Sequence, residues 1–303
     1  MINNKKIGVV IPCYNTGDTI FKVITKLPNY VDQILVIDDC CPENTGKILS
    51  EKIINNKIKI IFNKINMGVG ASVLRGYRHL LKFDVDVFVK IDGDNQMDSK
   101  EMISLINPIL SGQFNYTKGT RYKTKTNLKN MPTIRYYGNF LISYFSKITT
   151  GYWNIFDFLN GYTAIDRNFV KKILKHNLDK RFFFETHILI ILNILGAKVK
   201  DVPVTIQYKN NKSNFNPFLE TKNFLFKNIF FFFMRVIKKY YRQNKNFLFF
   251  GMIFVSSIIN LILLFPNLFL YNEVNSVLNV PLIFIAIFVV FYFIYDYLDN
   301  PNK

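Results

Sequence analysis

The chain has 303 residues, and its 39 lysines and arginines against 21 aspartates and glutamates give a formal net charge of +18. That length allows one substantial core with an appendage, and the positive charge favours partners that carry phosphate, such as nucleotides, anionic lipids or nucleic acid. The three cysteines, Cys13, Cys40 and Cys41, have no spacing typical of a zinc site or a disulfide framework, which excludes those classes and indicates reduced, cytosolic thiols.

The N-terminal two thirds of the chain alternates short apolar runs with stretches of helical length. Strands are predicted at residues 7–11, 34–37, 58–62 and 85–91, and helices at residues 19–27, 45–54 and 70–81. This alternation is typical of an α/β domain with a mainly parallel sheet. Residues 1–6 lead into the first strand without the apolar stretch of a signal peptide, so we expect that this domain is not secreted.

Polar side chains follow the first two predicted strands, at the edge where open α/β sheets bind their ligands. Pro12, Tyr14 and Asn15 follow the first strand, and Asp38-Asp39 ends the second. A carboxylate there can accept hydrogen bonds from a ribose or a base, but taken alone these residues favour the capping of the next helix by Asp39. Both interpretations stay open on the residues alone.

Two glycines follow the third predicted strand. Gly68 and Gly70 allow the backbone to turn tightly and to approach a ligand or a neighbouring strand. A structural turn without a ligand fits these residues as well.

The fourth predicted strand leads into Asp92-Gly93-Asp94-Asn95-Gln96. Asp92 and Asp94 are two residues apart, so on an extended backbone their carboxylates project to one side, and Gly93 leaves room for a bulky ligand. Oxygen ligands of this kind suit Mg²⁺ or Mn²⁺ shared with substrate phosphates. A turn rich in Asp, Gly and Asn is the alternative.

The C-terminal part of the chain predicts a membrane anchor. Residues 247–271 and 277–295 are predominantly apolar, and each stretch is long enough to cross a hydrocarbon core of about 30 Å as a helix. Lys238, Lys239, Arg242 and Lys245 precede the first stretch, whereas the connector at residues 272–276 has no lysine or arginine. The positive-inside rule then places the first domain and both termini in the cytoplasm.

A basic, aromatic segment joins the two parts. Residues 223–246 combine phenylalanines with lysines and arginines, which predicts a helix lying in the headgroup plane of a membrane. A packed aromatic helix of the first domain is the alternative. The predicted organisation is therefore an α/β domain at residues 1–222, an interfacial helix at 223–246 and two transmembrane helices at 247–303.

Together the strand-end motifs resemble the family-two inverting glycosyltransferases of GT-A fold, a Rossmann-like α/β fold. The motifs occur in the expected order and cover nearly the whole first domain: residues 10–15, 36–39 and 66–71, Asp92-Gly93-Asp94-Asn95-Gln96, and Gly119-Thr120-Arg121-Tyr122. The similarity is greatest to the dolichyl-phosphate mannosyltransferase branch and its bacterial polyprenyl-phosphate relatives, which also carry a two-span tail.

The resemblance implies roles for individual residues. Asp92 and Asp94 would meet the donor's pyrophosphate and a Mg²⁺ or Mn²⁺ ion whose ligands Gln96 completes, and Arg121 and Arg135 would face the acceptor phosphate. The remaining donor-binding residues implied are Pro12, Tyr14, Asn15, Ile37, Asp39, Gly68 and Gly93. The implied partners are a UDP- or GDP-linked sugar, a polyprenyl phosphate and the membrane. A homo-oligomeric state is left open, and neither the sugar nor the nucleotide is specified.

The sequence departs from the family pattern in three places. Thr16 replaces the glutamate that usually follows the Tyr-Asn pair, and residues 40–44 lack the usual serine and aspartate, so the choice of base is open. Lys209 or Lys212 can supply the charge of a late arginine motif. The Gln-x-x-Arg-Trp element of processive synthases is absent from the sequence, which favours transfer of a single sugar.

Two other functions fit parts of the sequence. Transfer to a sugar hydroxyl requires a general base, for which Glu185, His187 and Asp157 are candidates. A non-catalytic membrane scaffold or a nucleic-acid binder is the alternative outside enzymes. The intact carboxylates of Asp92 and Asp94 argue against the scaffold, and no nucleic-acid-binding motif is evident, so no nucleic-acid partner is expected.

Overall fold

The structure is a computed structural model that describes residues 1–53, 55–122, 133–206 and 217–240, together with positions 289, 292, 296, 297, 299 and 301. Its centre is a seven-stranded sheet in the order β3-β2-β1-β4-β6-β5-β7. The strands are β1 (Ile7–Cys13), β2 (Gln33–Asp38), β3 (Ile58–Phe62), β4 (Val87–Lys90), β5 (Tyr116–Thr120), β6 (Thr163–Asp166) and β7 (Val199–Pro203).

Strands β1 to β4 pair in parallel, and β5 pairs in parallel with β7. Strand β6 lies antiparallel between β4 and β5. The mainly parallel α/β sheet is therefore confirmed, with one reversed strand that the sequence did not predict.

Helices cover both faces of the sheet. The α-helices of the described residues are α1 (Thr19–Lys26), α2 (Thr45–Lys52), α3 (Val69–Leu80), α4 (Met102–Leu110), α5 (Thr133–Thr150), α6 (Arg167–Ile173), α7 (Phe184–Ile194) and α8 (Pro217–Tyr240). Successive strand residues point to opposite faces, so Val87 and Val89 join the core under α1 and α4, while Phe88 joins the core under α3, α6 and α7. The central strands are apolar because both faces are buried.

The predicted elements agree closely with the observed ones in the first half of the chain. The strand predicted at 58–62 is observed at those residues. The helix predicted at 19–27 ends one residue later than α1, and the helix predicted at 70–81 is shifted by one residue relative to α3. The strand predicted at 85–91 is observed only at residues 87–90, because the pairing of β4 with β1 runs from Val87 to Lys90.

Helix α8 has one packed face and one exposed face. Phe224 and Arg235 are buried against α5 and α7, whereas Phe226, Phe230 and Phe233 are 73%, 59% and 45% exposed. The helix thus packs against the first domain, as in the alternative interpretation of this segment, and still presents apolar side chains to its surroundings.

The predicted membrane spans at 247–271 and 277–295 lie outside the described residues, apart from positions 289 and 292. Among the helices that the structure does describe, none combines the length and apolar character required to cross a membrane. The boundaries predicted for the three parts of the chain therefore stay predictions.

Candidate functional site

The polar ends of the first, second and fourth strands meet at one edge of the sheet. The amide of Asp39 donates to the carbonyl of Cys13 at 2.9 Å, and the amide of Ile91 donates to that of Val10 at 3.2 Å. From α1, the hydroxyl of Thr19 donates to the carbonyl of Gly93 at 2.7 Å. Parallel pairing brings these loops together, as the sequence predicts.

The two acids that end β2 have different partners. Asp38 accepts from the amides of Cys41 and Gly46, both at 2.8 Å, and so orders the start of α2. Asp39 accepts from the amides of Met67 at 2.9 Å and Gly68 at 2.7 Å. The capping role considered for Asp39 is therefore wrong: Asp38 accepts from an amide in the first turn of α2, whose N-cap residue is Asn44, and Asp39 orders the glycine turn.

Gly68 and Gly70 are required by a neighbouring loop. Gly68 has a φ of +93°, and a Cβ there would lie 2.5 Å from the carbonyl oxygen of Lys180. A Cβ on Gly70 would lie 2.5 Å from the carbonyl oxygen of Asp179. The loop before α7 thus packs on this turn, which accounts for both glycines structurally and holds the turn beside Asp39.

The other residues implied for the nucleoside line this edge unequally. Tyr14 is 40% exposed, whereas the side chain of Ile37 is fully buried in the core, so only its backbone could face a ligand. Asn15 is exposed, with a φ of +51°, and its amide donates to the Cys41 sulfur at 3.3 Å. Residues 40–44, which depart from the family pattern, therefore contact and support the loop that follows Pro12.

Asp92 and Asp94 form the acidic centre of this edge. The Asp92 side chain is 32% exposed, and the Asp94 carboxylate accepts from the amide of Gln96 at 3.1 Å. Burial, followed by the negative charge of Asp92, raises the pKa of Asp94 to about 6. Two carboxylates that disfavour each other's charge are relieved by a cation.

These residues fit a divalent cation that is shared with a substrate. The described residues contain no group of three or more His, Cys, Asp or Glu side chains that could hold a metal by themselves. The two carboxylates and the side-chain oxygen of Gln96 supply fewer oxygen ligands than Mg²⁺ or Mn²⁺ requires. Such ions complete their coordination shell with water and phosphate oxygens. The donor set fits a metal bound together with a phosphate-bearing ligand.

A buried ion cluster lies directly behind Asp92. The ammonium of Lys90, on β4, is 2.9 Å from Oδ1 of Asp92 and 2.8 Å from Oε1 of Glu185 on α7. The ammonium of Lys118, on β5, is 3.2 Å from Oε2 of Glu185. Although burial opposes ionisation, the two lysines hold the pKa of Glu185 below its ordinary value. Glu185 is therefore an ionised structural partner of both lysines.

Gly161 closes the site from the loop before β6. A Cβ at this position would lie 2.5 Å from Oδ2 of Asp92 and would also collide with the Lys90 ammonium. A larger residue would displace the Asp92 carboxylate, the Lys90 ammonium or the loop itself. Gly161 thus fixes the space around the Asp92 carboxylate.

Arg121 follows β5 at the same edge and forms a buried ion pair with Asp157. Its Nε and Nη2 atoms each lie 2.7 Å from an oxygen of the Asp157 carboxylate, and its amide also donates to that group at 3.0 Å. Burial opposes ionisation of Asp157, but Arg121 holds its pKa below the ordinary value. Arg135 belongs to α5, and its side chain lies outside the described part of the chain, as do Lys209 and Lys212.

His187 is buried on α7 between the domain and α8. Its Nδ1 accepts from the amide of Asp179 at 3.0 Å, and its ring lies 4.0 Å from the ring of Phe231, centroid to centroid. Burial lowers the pKa of His187 to about 4. The neutral imidazole is therefore a packing and hydrogen-bonding group.

This burial predicts an acid sensitivity. The folded-state pKa of His187 is about 4 against an ordinary value of 6.5, so the unfolded state binds more protons between these pH values. The contribution of His187 to stability is full above pH 6.5 and is lost as the pH falls towards 4, by roughly 2–3 kcal/mol. His187→Asn, which keeps an acceptor near Nδ1, is expected to reduce this loss. Chemical unfolding of both proteins at several pH values measures the difference, and equal pH slopes would contradict it.

Four residues of this site were not predicted from the sequence: Lys90, Lys118, Gly161 and Asn63, whose amide donates to Asp39 at 2.6 Å. Lys90 carried a usable signal, because it interrupts the apolar run of the strand predicted at 85–91, where a buried charge is costly without a counter-charge. Lys118 carried none, because the residues of β5 do not form an apolar run in the sequence. Gly161 and Asn63 carried no comparable signal.

Comparison with known proteins identifies the family of the chain. The sequence profile described as Glycosyl transferase family 2 matches residues 8–174. Among curated proteins, the UDP-N-acetylglucosamine–dolichyl-phosphate N-acetylglucosaminyltransferase of Methanococcus voltae is 28% identical over 219 residues, covering 68% of this chain and 87% of the relative. The polyprenol monophosphomannose synthase of Mycolicibacterium smegmatis is 26% identical, covering 65% and 76%.

Among solved structures, the glucosyl-3-phosphoglycerate synthase of Mycobacterium tuberculosis, in complex with Mn²⁺, UDP and glucosyl-3-phosphoglycerate, matches with a TM-score of 0.55. The match is 16% identical and covers 77% of this chain and 80% of that chain. It shows a GT-A-like α/β fold with a mostly parallel sheet. The profile match covers more than half of the chain, so the protein belongs to glycosyl transferase family 2 and the predicted family is confirmed.

Gly161→Ala tests how closely the loop before β6 must approach Asp92. The added Cβ meets Asp92 and Lys90, so the loop or the carboxylate must shift, and we expect sugar transfer to fall roughly ten- to hundredfold. Gly138→Ala is the matched control, because Gly138 is exposed on α5 and a Cβ there meets no atom of the described residues within 4 Å. Initial rates of both variants measure the effect, and equal rates would show that the close approach is dispensable.

Proposed function

We propose that the protein transfers a single sugar from a UDP- or GDP-linked donor to a polyprenyl phosphate, with inversion at the anomeric carbon, at the cytoplasmic face of a membrane. The names of two relatives, a dolichyl-phosphate N-acetylglucosaminyltransferase and a polyprenol monophosphomannose synthase, support a lipid-phosphate acceptor. The strand-end carboxylates support a nucleotide-sugar donor.

The observation that carries this proposal is the state of the three candidate bases. Glu185 pairs with two buried lysines, Asp157 pairs with Arg121, and His187 is buried and neutral with a pKa of about 4. A sugar hydroxyl must lose a proton as it attacks, which requires an available base. A phosphate acceptor is already ionised at neutral pH and needs none, so these engaged side chains favour it over a hydroxyl acceptor.

The proposed step is a displacement at the anomeric carbon. An oxygen of the acceptor phosphate forms the new bond to that carbon, the bond to the donor diphosphate breaks on the opposite face, and the nucleoside diphosphate leaves with the electron pair. A divalent cation, when bound, supplies positive charge to the leaving diphosphate. Asp92, Asp94 and Gln96 would hold that cation, so the protein contributes mainly positioning and electrostatics.

Arg121 and Arg135 are the proposed contacts for the acceptor phosphate. Asp157 holds the guanidinium of Arg121 in a bidentate pair at the carboxyl end of β5, on the same sheet edge as Asp92. A guanidinium fixed in this way is oriented before a substrate arrives. Arg135 begins the next described helix, α5, in the first turn after Thr133.

The exposed face of α8 supports a location at the membrane surface. Phe226, Ile229, Phe230, Phe233 and Ile237 are between 45% and 73% exposed, and their spacing places them on one side of the helix. An exposed apolar stripe on a helix that also carries lysines is typical of one lying at a lipid interface.

The orientation of the tail is supported by a contact across it. Arg235 lies before the first predicted span and Asp296 directly follows the second, and the two form a fully buried ion pair at 2.6 Å. A contact between these two residues is expected if both ends of the predicted hairpin lie on one side of the membrane. This arrangement agrees with a hairpin of two spans and cytoplasmic termini.

A fluorophore on α8 tests the membrane location. In a Cys40→Ser background, Phe230→Cys labelled with an environment-sensitive dye is expected to shift its emission to the blue when the protein is placed in anionic vesicles. Ile48→Cys, on an exposed apolar residue of α2, is the control and is expected not to shift. An unshifted emission at position 230 would overturn the proposed interface.

A donor panel tests the proposed reaction. The purified protein is incubated with polyprenyl phosphate and each of several UDP- and GDP-sugars, with Mg²⁺, with Mn²⁺ or with a chelator. We expect one donor to give a glycolipid only when a divalent cation is present. Absence of a metal-dependent glycolipid with every donor would reject the function.

A further inference from the structure

Two lysines lie inside the sheet where apolar side chains would be expected. Lys90 ends the central strand β4 and Lys118 is the middle residue of β5, and their side chains are 3% and 0% exposed. Removing an ammonium from water is costly unless a buried counter-charge compensates. Glu185 provides that charge from the first turn of α7, between the two lysines.

Stability alone does not account for this cluster. Replacing a buried ion pair or triad with well-packed apolar residues of similar volume is often neutral or stabilising. The sequence nevertheless keeps three buried charges here, and one of them touches the acidic centre of the site. Lys90 therefore has a role beyond that of a core residue.

The two oxygens of the Asp92 carboxylate have different surroundings. Oδ1 is 2.9 Å from the Lys90 ammonium. Oδ2 lies against the backbone of Gly161, where an added Cβ would approach it to 2.5 Å. Lys90 thus occupies one oxygen of Asp92, fixes the orientation of the carboxylate and places a positive charge directly beside the residues that would hold a cation.

We propose that Lys90 is a positioning residue that orients Asp92 and weakens its hold on a free divalent cation, so that the cation binds together with the donor diphosphate. This inference rests on the proposed function, because it concerns the same donor and metal site. A neighbouring ammonium repels a cation, whereas the diphosphate brings negative charge and additional oxygen ligands. The scarcity of protein ligands in the described residues agrees with metal binding that depends on the nucleotide.

Lys118 offers a matched control within the same cluster. Lys90→Met and Lys118→Met each remove one ammonium from Glu185, and each leaves Glu185 paired with the other lysine. Only Lys90 contacts Asp92. A difference between the two variants therefore reports on Asp92 and not on the loss of a buried charge.

Electron paramagnetic resonance of Mn²⁺ measures the affinity of each protein for the ion, first alone and then with saturating UDP or GDP. We expect Lys90→Met to bind Mn²⁺ alone about tenfold more tightly than wild type, and the gain in affinity from the nucleotide to shrink by a similar factor. Sugar transfer by this variant is expected to fall about ten- to hundredfold in kcat, because the carboxylate is no longer fixed. Lys118→Met is expected to keep the wild-type affinity for Mn²⁺.

An unchanged or weaker Mn²⁺ affinity in Lys90→Met, relative to wild type, would overturn the inference. Lys90→Gln removes the charge while keeping a polar group. If Lys90→Met does not fold, Lys90→Gln is used in its place and is expected to show the same increase in Mn²⁺ affinity. The Mn²⁺ measurement needs no acceptor, so the two proposals can fail separately. If Lys90→Met binds Mn²⁺ more tightly but wild type makes no glycolipid, the proposed acceptor is rejected and the role of Lys90 stands. If wild type makes glycolipid but Lys90→Met binds Mn²⁺ as wild type does, only the role of Lys90 is rejected.

Discussion

Asp94→Asn is expected to lower sugar transfer by about 10²–10³-fold while leaving the fold intact. The substitution removes a carboxylate from the proposed metal and diphosphate site without changing the size of the side chain. Burial and the charge of Asp92 raise the pKa of Asp94 to about 6, so the ionised form is disfavoured in the folded protein without metal. The variant should therefore melt at the same temperature as wild type or higher at pH 7.

Asp84→Asn is the matched control for this prediction. Asp84 lies just before the other end of β4, its side chain is 80% exposed, and it pairs only at the surface with Arg167. Removing its charge is expected to change neither transfer nor melting temperature appreciably, because exposed ion pairs contribute little. If Asp94→Asn kept full transfer activity, the assignment of the acidic centre as the catalytic site would have to be abandoned.

Glu185→Gln is expected to destabilise the protein by roughly 3–5 kcal/mol. The change leaves Lys90 and Lys118, whose side chains are 3% and 0% exposed, without their shared buried anion. Lys90 retains Asp92 as a partner, so Lys118 is the charge most affected. Chemical unfolding at pH 7 measures the loss.

A second substitution distinguishes loss of charge balance from loss of packing. Glu185→Gln combined with Lys118→Met removes one charge of each sign and leaves Lys90 paired with Asp92. We expect the double variant to recover at least half of the stability lost by Glu185→Gln. If Glu185→Gln alone lowered the free energy of unfolding by less than about 1 kcal/mol, which is the size of a surface effect, the proposed importance of the cluster would be contradicted.

The first half of the fold could be predicted because its signals are local. Buried parallel strands are continuous apolar runs, so β1 to β4 are visible in the sequence, and the loops that follow them gather at one edge by the geometry of parallel pairing. Asp92 and Asp94 were found in this way. Strand β6 has only four residues and β5 contains Lys118 and Gly119, so neither resembles an apolar run, and the reversed strand was not predicted.

The electrostatics of the site could not be predicted because its partners are distant in the chain. Lys118 and Glu185 are 67 positions apart, and their contact depends on how α7 packs on the sheet. The same limit applies to Asp38 and Asp39: adjacent acids look equivalent in the sequence, yet the one points into α2 and the other to the glycine turn. Which carboxylate orders the start of a helix and which orders a loop is decided by tertiary packing.

The choice of acceptor is the central claim, and paired acceptors test it most directly. The protein is given its preferred nucleotide sugar, a divalent cation, and either polyprenyl phosphate or the matching polyprenol, and the lipid products are identified by mass spectrometry. Because no available base is seen among the candidates Glu185, Asp157 and His187, sugar is expected on the phosphate lipid only. Transfer to the hydroxyl of the polyprenol, with the phosphate lipid unmodified, would contradict the proposed function.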